Sequence, residues 1–350
     1  MKPLKIYFLG RRSGHGLFKL FPKIVENTRK DEILGLKNAI AIQQTGSIAN
    51  ADILFFRNKP EKTSDALVSK LKDRIQPFRS QKLIMNDIAS FYNYDSKDKA
   101  FSLWKNAGIS TPEFMIIPDD SDQSIQEIQT FVKRHNQIFI RTNNETGSKG
   151  MEHINWKTSI DEIIRVVKKL ILKQETNRSF RSDSNVMAVQ FIDARVESGH
   201  LDLYRAHVLG NDIISYYVVT SPKDTFHNQD MTMDDLERFI WVNEQFGKRI
   251  IDDHQFKNTI INAVKVLGCN IGGIEFILKN DVPVFIEHNP MWGGRAGREG
   301  FGQLPFQAYL NNHKKELMNR IPLLFKWLDY ENYYTTLYEK IRDLYFQSMN

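Results

Sequence analysis

The chain has 350 residues, of which 41% are hydrophobic, and a formal net charge of +6. A chain of this length exceeds the size at which single hydrophobic cores usually divide, so we expect two or three subdomains. Its single cysteine, Cys269, excludes an internal disulfide and a metal site built from several cysteines. No signal peptide and no membrane span is predicted, because the first apolar run ends at Gly10 and none reaches about 18 residues.

These features favour a cytoplasmic protein. The basic residues are scattered and form no stripe with aromatic residues, so nucleic acid is not the expected partner. The modest positive charge suits small anions such as nucleotides and carboxylates instead.

The first 95 residues alternate between short β-type runs and polar or helical stretches. The β-type runs are LKIYFLG, ADILFFR and KLIMND. Because the strands are separated by helical segments, the pattern predicts an open parallel α/β layer.

Helix boundaries are predicted from caps and stops. One helix begins near Ser96 and ends before Gly108, and another covers roughly residues 255–267 and ends at Gly268.

Two more helices are predicted from capping boxes, in which a serine is followed three residues later by a glutamate. The pairs are Ser124 with Glu127 and Ser159 with Glu162.

The second half begins with three apolar runs, NVMAVQFID, LYRAHVLG and DIISYYVV, which we interpret as consecutive strands of an antiparallel meander. The C-terminal segment is a predicted amphipathic helix. We expect its apolar stripe to pack on its own domain, with a homodimer contact as the alternative; the stripe contains Tyr334, Leu337, Tyr338, Ile341, Leu344 and Tyr345.

The segment of residues 272–290, GGIEFILKNDVPVFIEHNP, is mostly apolar but carries two glutamates. We interpret it as two strands joined around Asn280 and Asp281, which are turn-forming residues. If the loop is centred on Asp281, Glu275 and Glu287 lie opposite one another because each is six residues from the centre.

Strand alternation places Asn289 on the same face as the two glutamates. Facing carboxylates repel unless a cation lies between them, and oxygen ligands of this kind suit Mg²⁺ bound to a polyphosphate. A solvated strand face, with the glutamates paired to lysines, is the alternative. The opposite face is expected in the core; it contains Ile274, Phe276, Leu278, Val284, Ile286 and His288.

The motif GGIEF…VFIEHNP resembles the metal-binding signature of the ATP-grasp superfamily. The resemblance implies that Glu275, Glu287 and Asn289 hold two Mg²⁺ ions on the phosphates of ATP, with Mn²⁺ as an alternative. It also implies a multidomain α/β and α+β fold, in which an open parallel N-terminal domain precedes a two-lobed ATP-grasp fold.

The domain boundaries expected from this resemblance follow the order of the motifs. They are residues 1–95 for the N-terminal domain, 96–190 for the small ATP-grasp lobe, 191–312 for the large lobe with the magnesium site, and 313–350 for a helical tail.

The segment SKDKAFSLWKNAGISTP is similar to the entry segment of the family, where a lysine near the helix start reaches the phosphates. Lys99 is the candidate and Lys97 the second choice. Ordinary solvated lysines in a first helical turn are an equally weighted alternative.

The segment FIRTNNETGSKGM resembles the family's strand and phosphate-covering loop. The resemblance assigns phosphate contacts to Arg141, Gly147, Ser148 and Lys149, because glycines let backbone amides approach phosphate oxygens. Arg141 departs from the family, which usually has lysine there, and a guanidinium is not equivalent to an ammonium.

The segment VMAVQFID resembles the hinge that binds adenine through backbone groups, which implies roles for Gln190, Phe191 and Ile192. Gln190 stands where an acidic residue is common. Glu197 is the candidate for the ribose hydroxyls, with surface solvation as the alternative.

The resemblance also assigns Arg205 to the γ-phosphate or an acyl phosphate, although the aspartate often found two residues earlier is here Leu203. A structural salt bridge is the alternative for Arg205. Asn228 is a weaker candidate near the metals. The loop MWGGRAGREGFG suggests that Arg295 and Arg298 contact an anionic substrate.

The resemblance implies an ADP-forming ligase that joins a small-molecule or peptide carboxylate to an amine through an acyl phosphate. A phosphotransferase with the same fold is the first alternative, and a non-catalytic ATP-binding module is the second.

Overall fold

The protein is described by a computed structural model over residues 3–9, 42–56, 63–144, 150–290, 301–324 and 330–349. Within these residues, the strands form three four-stranded sheets. The mixed α/β architecture agrees with the fold class expected from the sequence.

The first sheet is parallel throughout, as predicted. Its strands, in the order β2-β1-β3-β4, are β1 (Leu4–Leu9), β2 (Ile42–Gln44), β3 (Ile53–Phe56) and β4 (Leu83–Met85). Helix α1 (Asp65–Ile75) lies between β3 and β4 in the chain. The sequence did not predict β2, because only one of its three residues is buried and its pattern is too short to detect.

Two helices connect the first sheet to the second. They are α2 (Phe91–Asp95) and α3 (Lys97–Asn106), with Ser96 as the N-cap of α3. The chain leaves α3 through Gly108, whose φ of 71° lies in the left-handed region that glycine adopts without strain. The predicted helix from Ser96 to Gly108 is therefore confirmed.

The second sheet is antiparallel, and its strands follow the order β5-β8-β6-β7. They are β5 (Phe114–Ile117), β6 (Gln137–Thr142), β7 (Met151–Asn155) and β8 (Val186–Gln190). Helices α4 (Asp122–His135) and α5 (Ile160–Arg178) cover one face and enclose a separate apolar core with it.

Two predictions in this region are wrong. Strand β8 does not form a meander with β9 and β10. It is a central strand of the second sheet, between β5 and β6, and both of its faces are buried over Val186–Val189. The N-cap of α4 is Ser121, whose hydroxyl accepts from the Ser124 amide at 3.3 Å, so the helix begins before the predicted cap. Ser159, by contrast, caps α5 as predicted.

The third sheet is also antiparallel, in the order β10-β9-β11-β12. Its strands are β9 (Leu201–Leu209), β10 (Asp212–Ser221), β11 (Ile271–Lys279) and β12 (Val282–Asn289). Helices α6 (Leu236–Asp252) and α7 (His254–Lys265) lie between β10 and β11 in the chain, and α7 is the helix predicted over 255–267.

The C-terminal part contains α8 (Leu304–Asn312), α9 (Lys314–Arg320) and α10 (Tyr330–Met349). Leu337, Tyr338 and Ile341 of α10 are buried in the core that also serves the first and third sheets. These three members of the apolar stripe therefore pack on their own chain, as expected, while the side chain of Tyr334 is not among those described. No helix among the described residues is long and apolar enough to span a membrane.

His288 of β12 is buried and closely packed in the core beneath β11 and β12. This side chain is 6% exposed, its ring centroid lies 5.9 Å from that of Tyr94, and burial lowers its pKa to about 3. A Cβ atom on Gly272 would lie 1.9 Å from His288 Nε2. His288 is therefore a core residue, and Gly272 provides the space for its ring.

Gly272→Ala should lower the free energy of unfolding by about 1–3 kcal/mol, because the new methyl group displaces a ring that has little room to move. Denaturant titration measures this difference. Gly46→Ala is the matched control, since nothing lies within 4 Å of its Cβ position, and it should not destabilise the protein. Equal stability of the two variants would contradict the packing argument.

Candidate active site

One row of side chains crosses all four strands of the third sheet. Tyr217 on β10 lies opposite Arg205 on β9, Arg205 lies opposite Glu275 on β11, and Glu275 lies opposite Glu287 on β12. All four residues line the same cavity of about 260 Å³. The predicted pairing of the two glutamates is therefore present, and it faces a cleft.

The pairing arises by a different route from the one predicted. The turn has two residues, Asn280 and Asp281, both in the left-handed region at φ of 50° and 66°. Such a turn alone would place Glu275 opposite Ile286. A β-bulge next to Glu275 shifts the register by one residue and restores the pairing with Glu287.

The bulge also reverses the orientation of Ile286 from the one predicted. This residue was expected to face the core, but it lines the cavity together with Ile277 of β11. Phe285 is fully buried instead and packs on Phe276 with ring centroids 5.4 Å apart.

The cleft brings together most of the described residues that the sequence singled out. One part of its wall is apolar and comes from β6, the end of β8 and the start of β9, and another part is polar and comes from the row of charged residues. The predicted residues that line the cleft are Arg141, Gln190, Phe191, Ile192, Arg205, Asn228, Glu275, Glu287 and Asn289.

Gln190 makes a specific contact at the end of β8. Its side-chain oxygen accepts a hydrogen bond from the backbone amide of Glu113 at 3.2 Å. The carboxamide therefore helps to fix the end of β8 against β5, a role that the acidic residue expected there could also fulfil as an acceptor.

Each glutamate of the pair has its own cation. Arg205 forms an ion pair with Glu275, and Lys97 Nζ lies 3.5 Å from Glu287 Oε1. Burial by itself would raise the pKa of Glu287, but the positive charges of Lys97, Arg141 and Arg205 outweigh it and lower that pKa. The surrounding cations thus lower the pKa of Glu287 although a second carboxylate faces it.

The structure places Lys97, rather than Lys99, at this acidic pair. Two residues on a helix point about 200° apart, so only one of these lysines can face β12. Lys97 is buried and burial lowers its pKa, while Glu287 opposes that shift. The Lys99 ammonium lies 4.8 Å from the ring centroid of Tyr92 instead.

A buried charged cluster holds the start of α3. The Arg181 guanidinium donates to Asp95 at 2.5 Å and to Asp183 at 2.7 Å, and it lies 4.7 Å from the ring centroid of Phe91. Its side chain is only 4% exposed. Because Asp95 is two residues before Lys97, this cluster fixes the backbone that carries the lysine.

The end of β6 is fixed to the same helix. The Asn143 amide group donates to Asp98 Oδ1 at 2.7 Å, and the Lys97 backbone amide donates to the Asn143 carbonyl at 3.0 Å. Asn185 completes the arrangement by donating to the second oxygen of Asp98 at 2.9 Å. Hydrogen bonds therefore join the start of α3, which carries the lysine, to the end of β6.

Neither this network nor Asp224 was predicted from the sequence. Asp224 lines the cleft, pairs with Arg195, and lies 3.9 Å from His153 Nδ1. The contacts of Asp224 and most of those in the network join residues far apart in the chain, so they have no local sequence signal. The Arg181–Asp183 pair is only two residues apart.

Several predicted residues do not take part in the described site. Gly147, Ser148, Lys149, Arg295 and Arg298 lie outside the described residues. Glu197 is exposed on the turn before β9 and does not line the cleft. Its proposed ribose contact stays a prediction.

The donor set fits a hard cation that is shared with an anionic ligand. Among the described residues, no group of three or more His, Cys, Asp or Glu side chains is arranged for a metal. Two carboxylates and one amide leave most coordination positions of Mg²⁺ to water and phosphate, which is its usual preference.

Asn289 supports this fit. It lies opposite Gly273, which has no side chain, and its buried Nδ2 atom has no hydrogen-bond partner among the described residues. A buried amide nitrogen without a partner is costly, so this donor suits an acceptor atom of the anionic ligand, such as a phosphate oxygen.

No protein-family model matches the sequence, and no curated protein matches it. Solved structures do match. Carboxyaminoimidazole ribonucleotide synthase from Aspergillus clavatus, complexed with ATP, is 12% identical, with 84% of this chain and 72% of that chain covered and a TM-score of 0.50.

Two further structures cover nearly the whole chain. D-alanine–D-alanine ligase from Bacillus anthracis, complexed with ATP, is 14% identical over 97% of this chain and 99% of that chain, with a TM-score of 0.47. The ATP-grasp ligase PsnB, complexed with a precursor variant, Mg and ADP, is 10% identical over 97% and 99%, with a TM-score of 0.48.

At these identities the likeness concerns the fold. The match to the synthase, together with the order of the strands in the sheets, shows that this chain shares the fold of that enzyme. The fold expected from the motifs of the sequence is therefore confirmed.

The charged cluster at the start of α3 generates a pH-dependent contribution to stability. Burial raises the pKa of Asp95 from 3.8 to about 6, although Arg181 opposes the shift. A raised folded-state pKa favours the folded state fully below pH of about 4, and this contribution is lost as pH rises through about 6.

We expect the free energy of unfolding of the native protein, relative to that of Asp95→Asn, to fall by about 3 kcal/mol between pH of about 4 and about 7. Denaturant titrations of both proteins at several pH values measure this difference. A difference that is constant across the range would contradict the assignment.

Proposed function

We propose that the protein is an ATP-dependent, ADP-forming ligase that joins a carboxylate to an amine. The observation that carries the proposal is the facing pair of Glu275 and Glu287 in the cleft, with Arg205 and Lys97 as their counter-cations. Carboxylates and cations in this arrangement suit a metal-bound polyphosphate, since the carboxylates attract the metal and the cations attract the phosphates.

The cleft offers a place for each part of ATP. Its apolar wall, with Phe139, Val189, Phe191 and Ile192, suits adenine. The triphosphate would extend from there towards the charged row on β9, β11 and β12. The same fold in a synthase solved with ATP supports this use of the cleft.

Glu275, Glu287 and Asn289 would hold Mg²⁺, which when bound draws charge from the β- and γ-phosphates. Lys97 and Arg205 would then exchange their contacts with the glutamates for contacts with phosphate oxygens, and Arg141 would add a further positive charge. Because Arg141 and Arg205 line the cleft and Lys97 contacts Glu287 beside it, these groups can orient the γ-phosphate for in-line attack with little rearrangement.

The ATP-grasp resemblance of the sequence implies the reaction. A carboxylate oxygen of the substrate attacks the γ-phosphorus, the bond to ADP breaks, and an acyl phosphate forms. The amine nitrogen then attacks the acyl carbon, loses a proton, and expels phosphate to leave an amide. The substrate carboxylate supplies one oxygen atom of the released phosphate.

That oxygen transfer provides the test. The protein is incubated with ATP, Mg²⁺, hydroxylamine as the amine, and a panel of ¹⁸O-carboxylate amino acids and dipeptides. A ligase yields ADP, a hydroxamate and ¹⁸O-containing phosphate. ADP with a phosphorylated substrate and no free phosphate would establish a phosphotransferase, and no ADP with any substrate would contradict catalysis.

In the same assay, Glu275→Gln and Glu287→Gln should each lower the rate of ADP formation by about 100-fold, because each removes one of the charges that holds the metal. Glu175→Gln, on the exposed face of α5, is the matched control and should leave the rate unchanged. Unchanged rates in both cleft variants would overturn the proposal.

The two lysines of α3 give a second test. Lys97→Met should weaken binding of MgATP by about 10-fold, since it removes a cation from the phosphate region. Lys99→Met should change binding by less than about twofold, because Lys99 lies over Tyr92. Isothermal titration measures both affinities, and the reverse order of effects would restore Lys99 as the phosphate ligand.

A further inference from the structure

Two asparagines connect the first sheet to the strand pair that carries the glutamates. Asn86 directly follows β4, and Asn270 directly precedes β11. The Asn86 backbone amide donates to Asn270 Oδ1 at 3.0 Å, and Asn270 Nδ2 donates to the Ile84 carbonyl at 2.8 Å. Hydrogen bonds in both directions thus join the end of β4 in the first sheet to the start of β11 in the third sheet.

The side chain of Asn86 extends this link to both strands of the pair. Its Nδ2 atom donates to the Pro290 carbonyl at 3.1 Å, and its Oδ1 atom accepts from the Ile271 amide at 3.2 Å. Asn86 is 2% exposed. A single buried carboxamide therefore joins the beginning of β11 to the chain just after β12.

The backbone at this position restricts the residue that can make these contacts. The φ of Asn86 is 52°, in the left-handed region that glycine, asparagine and aspartate tolerate best. Glycine could not make the two side-chain bonds. Aspartate could accept from Ile271 but would place a carboxylate oxygen against the Pro290 carbonyl, so only asparagine meets every requirement.

We infer that Asn86 is a positioning residue for the metal-binding end of β11 and β12. Asn289 is the last residue of β12, and Asn86 fixes the carbonyl of the residue that follows it. Asn86 also fixes Ile271, two residues before the Gly273 that lies opposite Asn289. This inference rests on the proposed function, because it assigns a consequence to the metal site.

The contact determines where the Asn289 carboxamide lies relative to Glu287. Both residues are on one strand, but Asn289 is at the strand end, where the ladder to β11 stops. Without the bond to Pro290, this end would lose its connection to Asn86 while the Glu275–Glu287 pairing inside the ladder stayed in place. Loss of the contact should therefore affect metal binding more than binding of the nucleotide alone.

The test compares Asn86→Asp and Asn86→Gly with the native protein. Both substitutions tolerate the left-handed backbone, and both remove the donor to Pro290. We measure binding of Mn²⁺ in the presence of ATP by electron paramagnetic resonance, and binding of ATP in excess chelator by calorimetry. Mn²⁺ binding should weaken by about 10-fold in both variants, while metal-free ATP binding should change by less than about twofold.

Asn136→Asp is the matched control. Asn136 has a similar left-handed φ of 62° but is exposed at the end of α4, so its variant should bind Mn²⁺ and ATP as the native protein does. If Asn86→Asp does not fold, Asn86→Gly, which introduces no buried charge, decides the question.

The outcomes separate this inference from the proposed function. Native protein that binds no Mn²⁺ in the presence of ATP would contradict the proposed function itself. Native protein that binds Mn²⁺, with variants that bind it equally well, would overturn the positioning role alone. Equal weakening of metal-dependent and metal-free ATP binding would also overturn it, because that result indicates a general structural defect.

Discussion

The arrangement of the cleft depends on the repulsion between two carboxylates held face to face on neighbouring strands. Glu275 and Glu287 cannot both stay ionised in a half-buried site unless positive charge surrounds them. Arg205 provides that charge from the same sheet, and Lys97 provides it from a helix at the boundary between sheets. The third sheet and the helix that connects the first two sheets thus meet at one electrostatic requirement.

This requirement explains why so much buried polar structure surrounds α3. A lysine that is removed from water must be held firmly, since its desolvation is compensated only in one position. The Arg181 cluster and the hydrogen bonds of Asn143 provide that constraint on both sides of Lys97. The third sheet carries the two glutamates, and the network around α3 fixes the position of Lys97 relative to them.

Much of the fold could be predicted from local patterns. Parallel strands separated by helices, the caps Ser96 and Ser159, and the apolar stripe of α7 each have signals within a few residues. Each of these features depends on the residue's own neighbours in the chain. The bulge that brings Glu287 opposite Glu275 has no such signal, although the strand alternation and the turn-forming dipeptide that predict the pair are local.

Other features depend on contacts that local patterns do not encode. The sheet to which β8 belongs is decided by two separate cores, one on each face of the strand. The choice between Lys97 and Lys99 depends on the rotation of α3 against β12. The link from Asn86 to Pro290 joins positions 204 residues apart. Such contacts form between segments that are distant in the sequence, so local patterns do not predict them.

The bulge beside Glu275 makes the hairpin intolerant of small changes in length. Since side chains alternate between the two faces of a strand, removing one residue between the turn and the bulge would exchange the cleft-facing and core-facing sets of β12. Glu287 would then enter the apolar interior, and His288 would face the cleft. Natural variation in this hairpin should consequently appear as substitutions, or as insertions confined to the exposed tip at Asn280 and Asp281.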